Sequence, residues 1–150
     1  MTKKQVDQHF RKLRKQGKIY LEGDTYTYDF HTDGTFSPLQ ANFRTEFYND
    51  TLCSLSLIFD SKYSDYPTLI ENDVERVFKK HATGYKYFIE KPKYEWDSHH
   101  KYYIKNNLIV EFSSTFKAVM KYVNAPKCKL LEEQEKQSEI DKVNSTISDF

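Results

Sequence analysis

The sequence predicts an α+β fold: two tandem αβββ repeats forming one mainly antiparallel sheet, with the helices packed on one face. Short blocks of sequence recur in the same order in both halves, 65 to 68 residues apart. The chain of 150 residues can bury one good core, but each repeat alone would be marginal, so the repeats are expected to pack together. The matched positions include Val6/Val74, Phe10/Phe78, Gly17/Gly84, Tyr20/Tyr87 and Glu46/Glu111.

Each repeat is expected to begin with an amphipathic helix. Apolar residues at helical spacing predict a helix over residues 3–16, and Gly17 is expected to end it. A second helix is predicted from about Thr68 onward, with Gly84 in the same terminating role. The apolar positions are Val6, Phe10 and Leu13 in the first helix and Ile70, Val74, Val77 and Phe78 in the second.

Alternating apolar residues and turn signals predict the strands. Asn49-Asp50 is a hairpin signal, and residues 31–40 are expected to form a loop. When the sequence is shifted by 65 residues, the alternating apolar positions of the Thr51–Phe59 strand coincide with those of the last predicted strand. The two strands therefore alternate in the same phase. The predicted segments are Lys18–Leu21, Thr25–His31, Phe43–Tyr48 and Thr51–Phe59, then Tyr85–Glu90, Tyr94–Asp97, Tyr102–Ile104, Leu108–Phe112 and Phe116–Val123.

The two cysteines are too few for a disulfide scaffold and too far apart for a metal knuckle. Cys53 alternates with Leu55, Leu57 and Phe59, which places it on the apolar face of a strand. A buried, inert thiol is therefore expected there.

We expect a single domain over residues 1–125, built from repeats 1–62 and 66–125. Residues 126–150, rich in Lys, Glu, Gln and Ser, are expected to form a peripheral charged helix or a mobile tail. No apolar run has the roughly 20 residues that span a bilayer. A cytoplasmic location is expected if Met1 is the natural start, and an exported or periplasmic one if a leader was removed.

Two copies of a helix followed by an antiparallel meander resemble the tandem-repeat architecture of the beta-lactamase inhibitor protein family. The phrase Thr2-Lys3-Lys4-Gln5-Val6 is similar to the one that opens the helix of small outer-membrane assembly lipoproteins. The whole pattern also resembles uncharacterised α+β proteins of gut Bacteroidetes, with a charged tail ending near Asp-Phe. These resemblances imply a non-catalytic function, usually protein binding on an open sheet face.

Charge is segregated along the chain although the net charge is only +1. Residues 1–18 carry seven Lys/Arg and one acid, whereas residues 19–75 carry eleven acids and two bases. The basic first helix and the basic second repeat permit nucleic-acid binding as an alternative function. A solvated helix face explains the same residues, which are Lys3, Lys4, Arg11, Lys12, Arg14 and Lys15.

A small hydrolase or metal enzyme centred on Asp97, His99 and His100 is the less favoured alternative. Adjacent histidines in a strand point to opposite faces, and no third ligand recurs at a fixed spacing. The sequence contains no nucleophile elbow and no glycine-rich phosphate loop. We therefore expect no catalytic residues, no metal and no cofactor.

The sequence favours a non-catalytic interaction protein that uses an exposed aromatic sheet face, with another protein, or alternatively a glycan, as partner. Tyr26 and Tyr28 recur as Tyr94 and Trp96, and exposed aromatics are typical of protein interfaces. Arg44 on the next strand completes the predicted binding set. Burial of all four aromatics under the helices would remove this site.

Overall fold

The computed structural model describes residues 1–34, 37–59, 66–90, 100–114 and 116–148. The described chain forms three helices and one antiparallel sheet of eight strands in the order β1-β2-β3-β4-β8-β7-β6-β5. The elements are α1 (Lys3–Lys15), β1 (Tyr20–Glu22), β2 (Thr25–Phe30), β3 (Leu39–Tyr48), β4 (Thr51–Phe59), α2 (Pro67–His81), β5 (Lys86–Glu90), β6 (His100–Lys105), β7 (Leu108–Ser113), β8 (Ala118–Asn124) and α3 (Ala125–Ser148).

The predicted α+β class with a mainly antiparallel sheet is confirmed. Each half contains a helix followed by four strands, one strand more than the expected αβββ unit. Strand β1 takes the place of the predicted Lys18–Leu21 segment, pairs only with β2 among the described residues and forms one edge of the sheet.

Helix α1 begins and ends as its sequence dictates. The Thr2 hydroxyl accepts from the Gln5 amide at 3.2 Å, while the Gln5 side chain accepts from the Thr2 amide at 2.9 Å. This reciprocal capping box satisfies two amides that the first turn leaves unpaired. Gly17 follows the helix with φ +72°, as predicted. Gly84 lacks that role, because α2 ends through Ala82 in an extended conformation.

The β3–β4 hairpin forms at the predicted turn. Asn49 and Asp50 both adopt positive φ angles, 44° and 60°. Two consecutive left-handed residues match the twist of the flanking strands, which is why Asn-Asp is suited to this position. Strand β4 covers the predicted Thr51–Phe59 segment, whereas β3 begins at Leu39, inside the segment expected to be loop.

Helices α1 and α2 pack on the same face of the sheet, as predicted. Phe10 of α1 contacts Phe43 at a ring distance of 5.2 Å, and Phe78 of α2 contacts Phe112 at 5.4 Å. Residues that oppose one another in antiparallel strands share a face. One continuous row of opposed residues joins the two contacts, and it consists of Phe43, Leu57, Met120 and Phe112.

Strands β4 and β8 meet at the centre of the sheet. Leu55 opposes Tyr122, Ser56 opposes Lys121 and Leu57 opposes Met120. The 65-residue shift exchanges the first and third of these pairs and maps the second onto itself. A two-fold arrangement of the two halves requires this register. That the halves descend from one duplicated unit stays a prediction.

The thiol prediction for Cys53 is wrong, because Cys53 forms a disulfide with Cys128 of α3. The register of β3 and β4 shifts between Glu46 and Phe47, so one extra β4 residue is inserted there. Such a bulge interrupts the alternation of side chains. Cys53 therefore lies on the same face as Ser54, opposite the helix side, rather than with Leu55.

Helix α3 starts directly after β8 and contacts β3, β4 and β8. Its described side chains from Glu135 to Ser145 are all exposed, including Ile140 and Val143. The disulfide thus fixes the start of the helix to the sheet, while its later turns lie in solvent. Among the described residues, no helix is both long enough and apolar enough to cross a lipid bilayer.

Candidate functional site

The structure separates the residues of the predicted site. Tyr26 and Tyr28 lie half-buried on the helix side, where Tyr26 stacks on Phe10 of α1 at 5.0 Å. Arg44 is exposed on the opposite face, since it pairs with Ser56. The expectation that the two tyrosines line an exposed sheet face is therefore corrected. Tyr94 and Trp96 lie outside the described residues.

The counterpart of Tyr26 in the second half is Tyr103 rather than Tyr94. The strand that takes the place of β2 in the sheet order is β6, which begins at His100. Tyr103 packs on Phe78 at 5.0 Å, the same distance as between Tyr26 and Phe10. The two tyrosines thus support equivalent helices, and their role is packing.

The other side of the sheet, which we call the open face, carries two rows of aligned side chains that cross six strands from β3 to β5. Neither α1 nor α2 lies on it, but α3 begins against it, where Cys128 is bonded to Cys53 and the neighbouring Ser54 and Ser56 are only 2% and 6% exposed. The middle row is Arg44, Ser56, Lys121, Glu111, Tyr102 and Phe88. The lower row is Glu46, Ser54, Val123, Ile109, Ile104 and Lys86.

An aromatic pair ends the middle row of the open face. The rings of Phe88 and Tyr102 stack with centroids 4.8 Å apart, and 48% of Phe88 is exposed. The hydroxyl of Tyr102 donates to Oε2 of Glu90 at 2.9 Å. Burial and the Glu90 acceptor raise the pKa of Tyr102 to about 12, so the phenol remains neutral at physiological pH.

Polar and charged groups on the open face are arranged in neighbouring pairs. Nδ1 of His100 lies 2.8 Å from Oε1 of Glu111. Nζ of Lys121 lies 3.4 Å from Oε1 of Glu46, which also accepts from the Ser54 hydroxyl at 3.1 Å. Burial opposes ionisation of Glu46, but Lys121 and Ser54 outweigh it and lower its pKa. The face therefore presents fixed charges of both signs.

Beside the middle row lies an aliphatic strip formed by Val123, Ile109 and Ile104. All three side chains are half-buried, and their strands are neighbours in the sheet. Together with Phe88 and Tyr102 they give an apolar area bordered by polar and charged groups. An apolar centre with a charged border is the usual anatomy of a protein interface.

A buried ionic cluster lies on the helix side, between α2 and β6. Nζ of Lys101 is 3.0 Å from Glu75 and 3.6 Å from Glu71, and the Tyr103 hydroxyl donates to Glu75 at 2.7 Å. Burial disfavours the charged lysine, but the two carboxylates outweigh burial and raise the pKa of Lys101. The cluster fixes α2 on the sheet, a structural role that accounts for its burial.

An open groove of about 420 Å³ lies on the helix side, beyond the end of α2. Most of its lining is apolar, with the imidazole of His81 and the ammonium of Lys105 as its basic groups. Lys105 is already engaged, because it donates to the Thr83 carbonyl at 3.1 Å and lies 5.5 Å from the Tyr85 ring. The groove therefore offers apolar contact but no free charge from this lysine.

The residues of the alternative functions are only partly described. Asp97 and His99 lie outside the described residues, while His100 pairs with Glu111. In the described part of the chain, no group of three or more His, Cys, Asp or Glu residues is placed to hold a metal ion. The basic residues of α1 are all exposed. Among them, Arg11 pairs with Asp7 at 3.0 Å.

Sequence reasoning missed the aromatic pair of the open face. Tyr102 and Tyr103 are adjacent and point to opposite faces, so the sequence alone does not tell which of them packs under α2. The useful signal was Phe78, whose match to Phe10 predicts an aromatic partner on the helix side. Once Tyr103 takes that position, Tyr102 is assigned to the other face.

Comparisons of the chain with protein-family models, with curated proteins and with solved structures find no match.

Proposed function

We propose that this protein is a non-catalytic binding module that holds another protein against the open face of its sheet. The observation that carries the proposal is the stacked pair of Phe88 and Tyr102 beside the strip of Val123, Ile109 and Ile104. Aromatic residues are enriched among those that dominate the binding energy of interfaces. Here they project from strands, which hold them in fixed positions before a partner arrives.

The charged pairs of the open face support selectivity. Lys121 forms an ion pair with Glu46, and the Glu111 carboxylate is held beside His100. A partner with complementary charges is therefore favoured over one with like charges. Half-buried pairs of this kind contribute more to selectivity than to affinity. The same role is implied by the resemblance to families that bind proteins on an open sheet.

The disulfide supports a location in an oxidising compartment. Disulfides form and persist in secreted and periplasmic proteins and are rare in the cytosol of mesophiles. Of the two locations that the sequence leaves open, we therefore propose export. Trapping free thiols in native-host cells tests this, because a cytosolic protein would carry Cys53 and Cys128 as thiols that react with a maleimide.

Affinity capture from extracts of the native host tests the binding proposal. The wild-type chain is compared with I104K on the open face and with L69K, a matched change at an exposed position of α2. We expect one partner to be retained by the wild type and L69K and lost by I104K, with circular dichroism showing both variants folded. Equal retention by all three chains contradicts the proposal.

Nucleic-acid binding through α1 is the second candidate, favoured by the exposure of its basic residues. Phosphate contacts make such binding strongly dependent on salt. Filter binding of single- and double-stranded DNA and RNA at low and raised salt tests it. An absence of binding at low salt removes this candidate.

A further inference from the structure

Strand β5 forms one edge of the sheet and exposes an unusual amount of apolar surface. All five of its side chains, Lys86–Glu90, are exposed. Tyr87 is 51%, Phe88 48% and Ile89 42% exposed. In the described part of the chain, β5 pairs only with β6. No other described strand pairs with its outer edge, which presents backbone amide and carbonyl groups, and aromatic side chains project from both faces of β5.

Proteins usually protect such edges, because an exposed apolar edge is a template for pairing with another strand. The opposite edge, β1, follows this rule with only three residues, Tyr20–Glu22. Strand β5 is longer and carries three consecutive large apolar residues. This contrast indicates that β5 has a partner in its working state.

The order of side chains along β5 identifies that partner. When Lys-Tyr-Phe-Ile-Glu is paired antiparallel with a second copy about its central residue, Phe88 opposes Phe88, Tyr87 opposes Ile89 and Lys86 opposes Glu90. Each unlike pair occurs twice by symmetry. We propose that β5 is a self-association edge and that two copies of this chain join through it into one continuous sheet.

The charges at the two ends of β5 favour a second copy of this chain as the partner of the edge. Among the described residues, the ammonium group of Lys86 makes no ion pair or hydrogen bond. The Glu90 carboxylate accepts from the Tyr102 hydroxyl and stays exposed. Opposite charges directly across an antiparallel pair are stabilising and like charges are destabilising. A strand of another protein would not require bases and acids at symmetric positions.

The proposed pairing has two-fold symmetry, with its axis perpendicular to the sheet at Phe88. Both copies then turn their open faces to the same side, and the Phe88 and Tyr102 stacks of the two copies meet at the junction. In a closed two-fold dimer the β5 edges of both copies are paired with each other, so no further strand can add at β5. Because a five-residue strand pair is a small interface, we expect a dissociation constant of about 10 μM.

Two opposite charge reversals test the proposal in the purified full chain. K86E and E90K each place two like-charged pairs in the interface, so both are expected to be monomeric by sedimentation equilibrium at concentrations where the wild type is dimeric. An equal mixture of the two variants restores both unlike pairs, and it is expected to form a heterodimer. The double variant K86E/E90K keeps the pairs with exchanged signs and is expected to dimerise.

The mixture separates loss of pairing from loss of folding, because a misfolded variant would not associate with its complement. E22K at the β1 edge is the control and is expected to dimerise like the wild type. A wild-type chain that stays monomeric at about 100 μM overturns the proposal, as do single variants that remain dimers or a mixture that remains monomeric. These measurements need no other protein, so their outcome is independent of the proposed function.

Discussion

The hydroxyl of Tyr102 donates a 2.9 Å hydrogen bond to Oε2 of Glu90 and thereby ties the edge strand β5 to the open face. Its ring also stacks on Phe88 of the same strand. One side chain thus holds both the aromatic surface and the acidic residue of the edge in place. The open face and the edge are consequently parts of one continuous surface.

The pKa of Tyr102 reports this hydrogen bond. Burial and Glu90 raise it from 10.0 to about 12, and E90Q removes the charge of the acceptor. We expect the pKa to fall in E90Q but to stay above 10.0, because burial of the ring remains. Alkaline titration of tyrosinate absorbance measures it, with Y102F identifying the signal. An unchanged pKa in E90Q would show that Glu90 does not act on Tyr102.

The sign of the pH dependence follows from the direction of that shift. The pKa of the Tyr102 phenol is raised in the folded state, so its contribution to stability is fully present at pH values below the pKa of the unfolded chain, 10.0. That contribution is lost as the pH rises through about 12. We therefore expect Y102F to lose less stability than the wild type between these pH values. Urea unfolding at a series of alkaline pH values measures the difference.

Removal of the Lys101 charge is expected to destabilise the protein strongly. Glu71 and Glu75 are 3% and 6% exposed, and K101M leaves both carboxylates buried without their cation. Uncompensated buried charges of this kind cost about 3–5 kcal/mol. R11M, which breaks the exposed pair with Asp7, is the matched control and is expected to cost less than about 1 kcal/mol. Urea unfolding that gives equal costs would refute the structural role of the cluster.

Loss of the disulfide is expected to lower stability while leaving the sheet intact. The bond closes a loop across 75 positions of sequence, and such links typically contribute about 2–4 kcal/mol. We expect the double variant C53S/C128S to unfold at lower urea concentration than the oxidised wild type, and to show no further change on addition of a reductant. If the reductant does not change the urea concentration at which the wild type unfolds, the disulfide is absent.

The sequence predicted the elements whose signals are local. The Asn49-Asp50 turn and the ends of α1 follow from residues that lie next to one another. The match of Phe10 to Phe78 also identified the two residues that anchor the helices on the sheet. Each of these features could be predicted from neighbouring residues or from a match between the two halves of the sequence.

The faces of the strands could not be predicted in the same way, because they depend on long-range pairing. Alternation placed Cys53 with Leu55, but the bulge opposite Glu46 moved it to the other face. Similarly, alternation showed that Tyr26 and Tyr28 share a face without showing that α1 covers it. Only the position of a helix in space decides which face stays open.

The open face as a protein-binding surface is the central claim, and site-specific photo-crosslinking tests it most directly. Benzoylphenylalanine is placed at Tyr102 of the open face in one chain and at Leu69 of α2 in another, and each is irradiated in native-host extract. We expect position 102 to give a discrete adduct with a protein other than a second copy of this chain, and position 69 not to give it. The same adducts from both positions, or an adduct from position 69 alone, would contradict it.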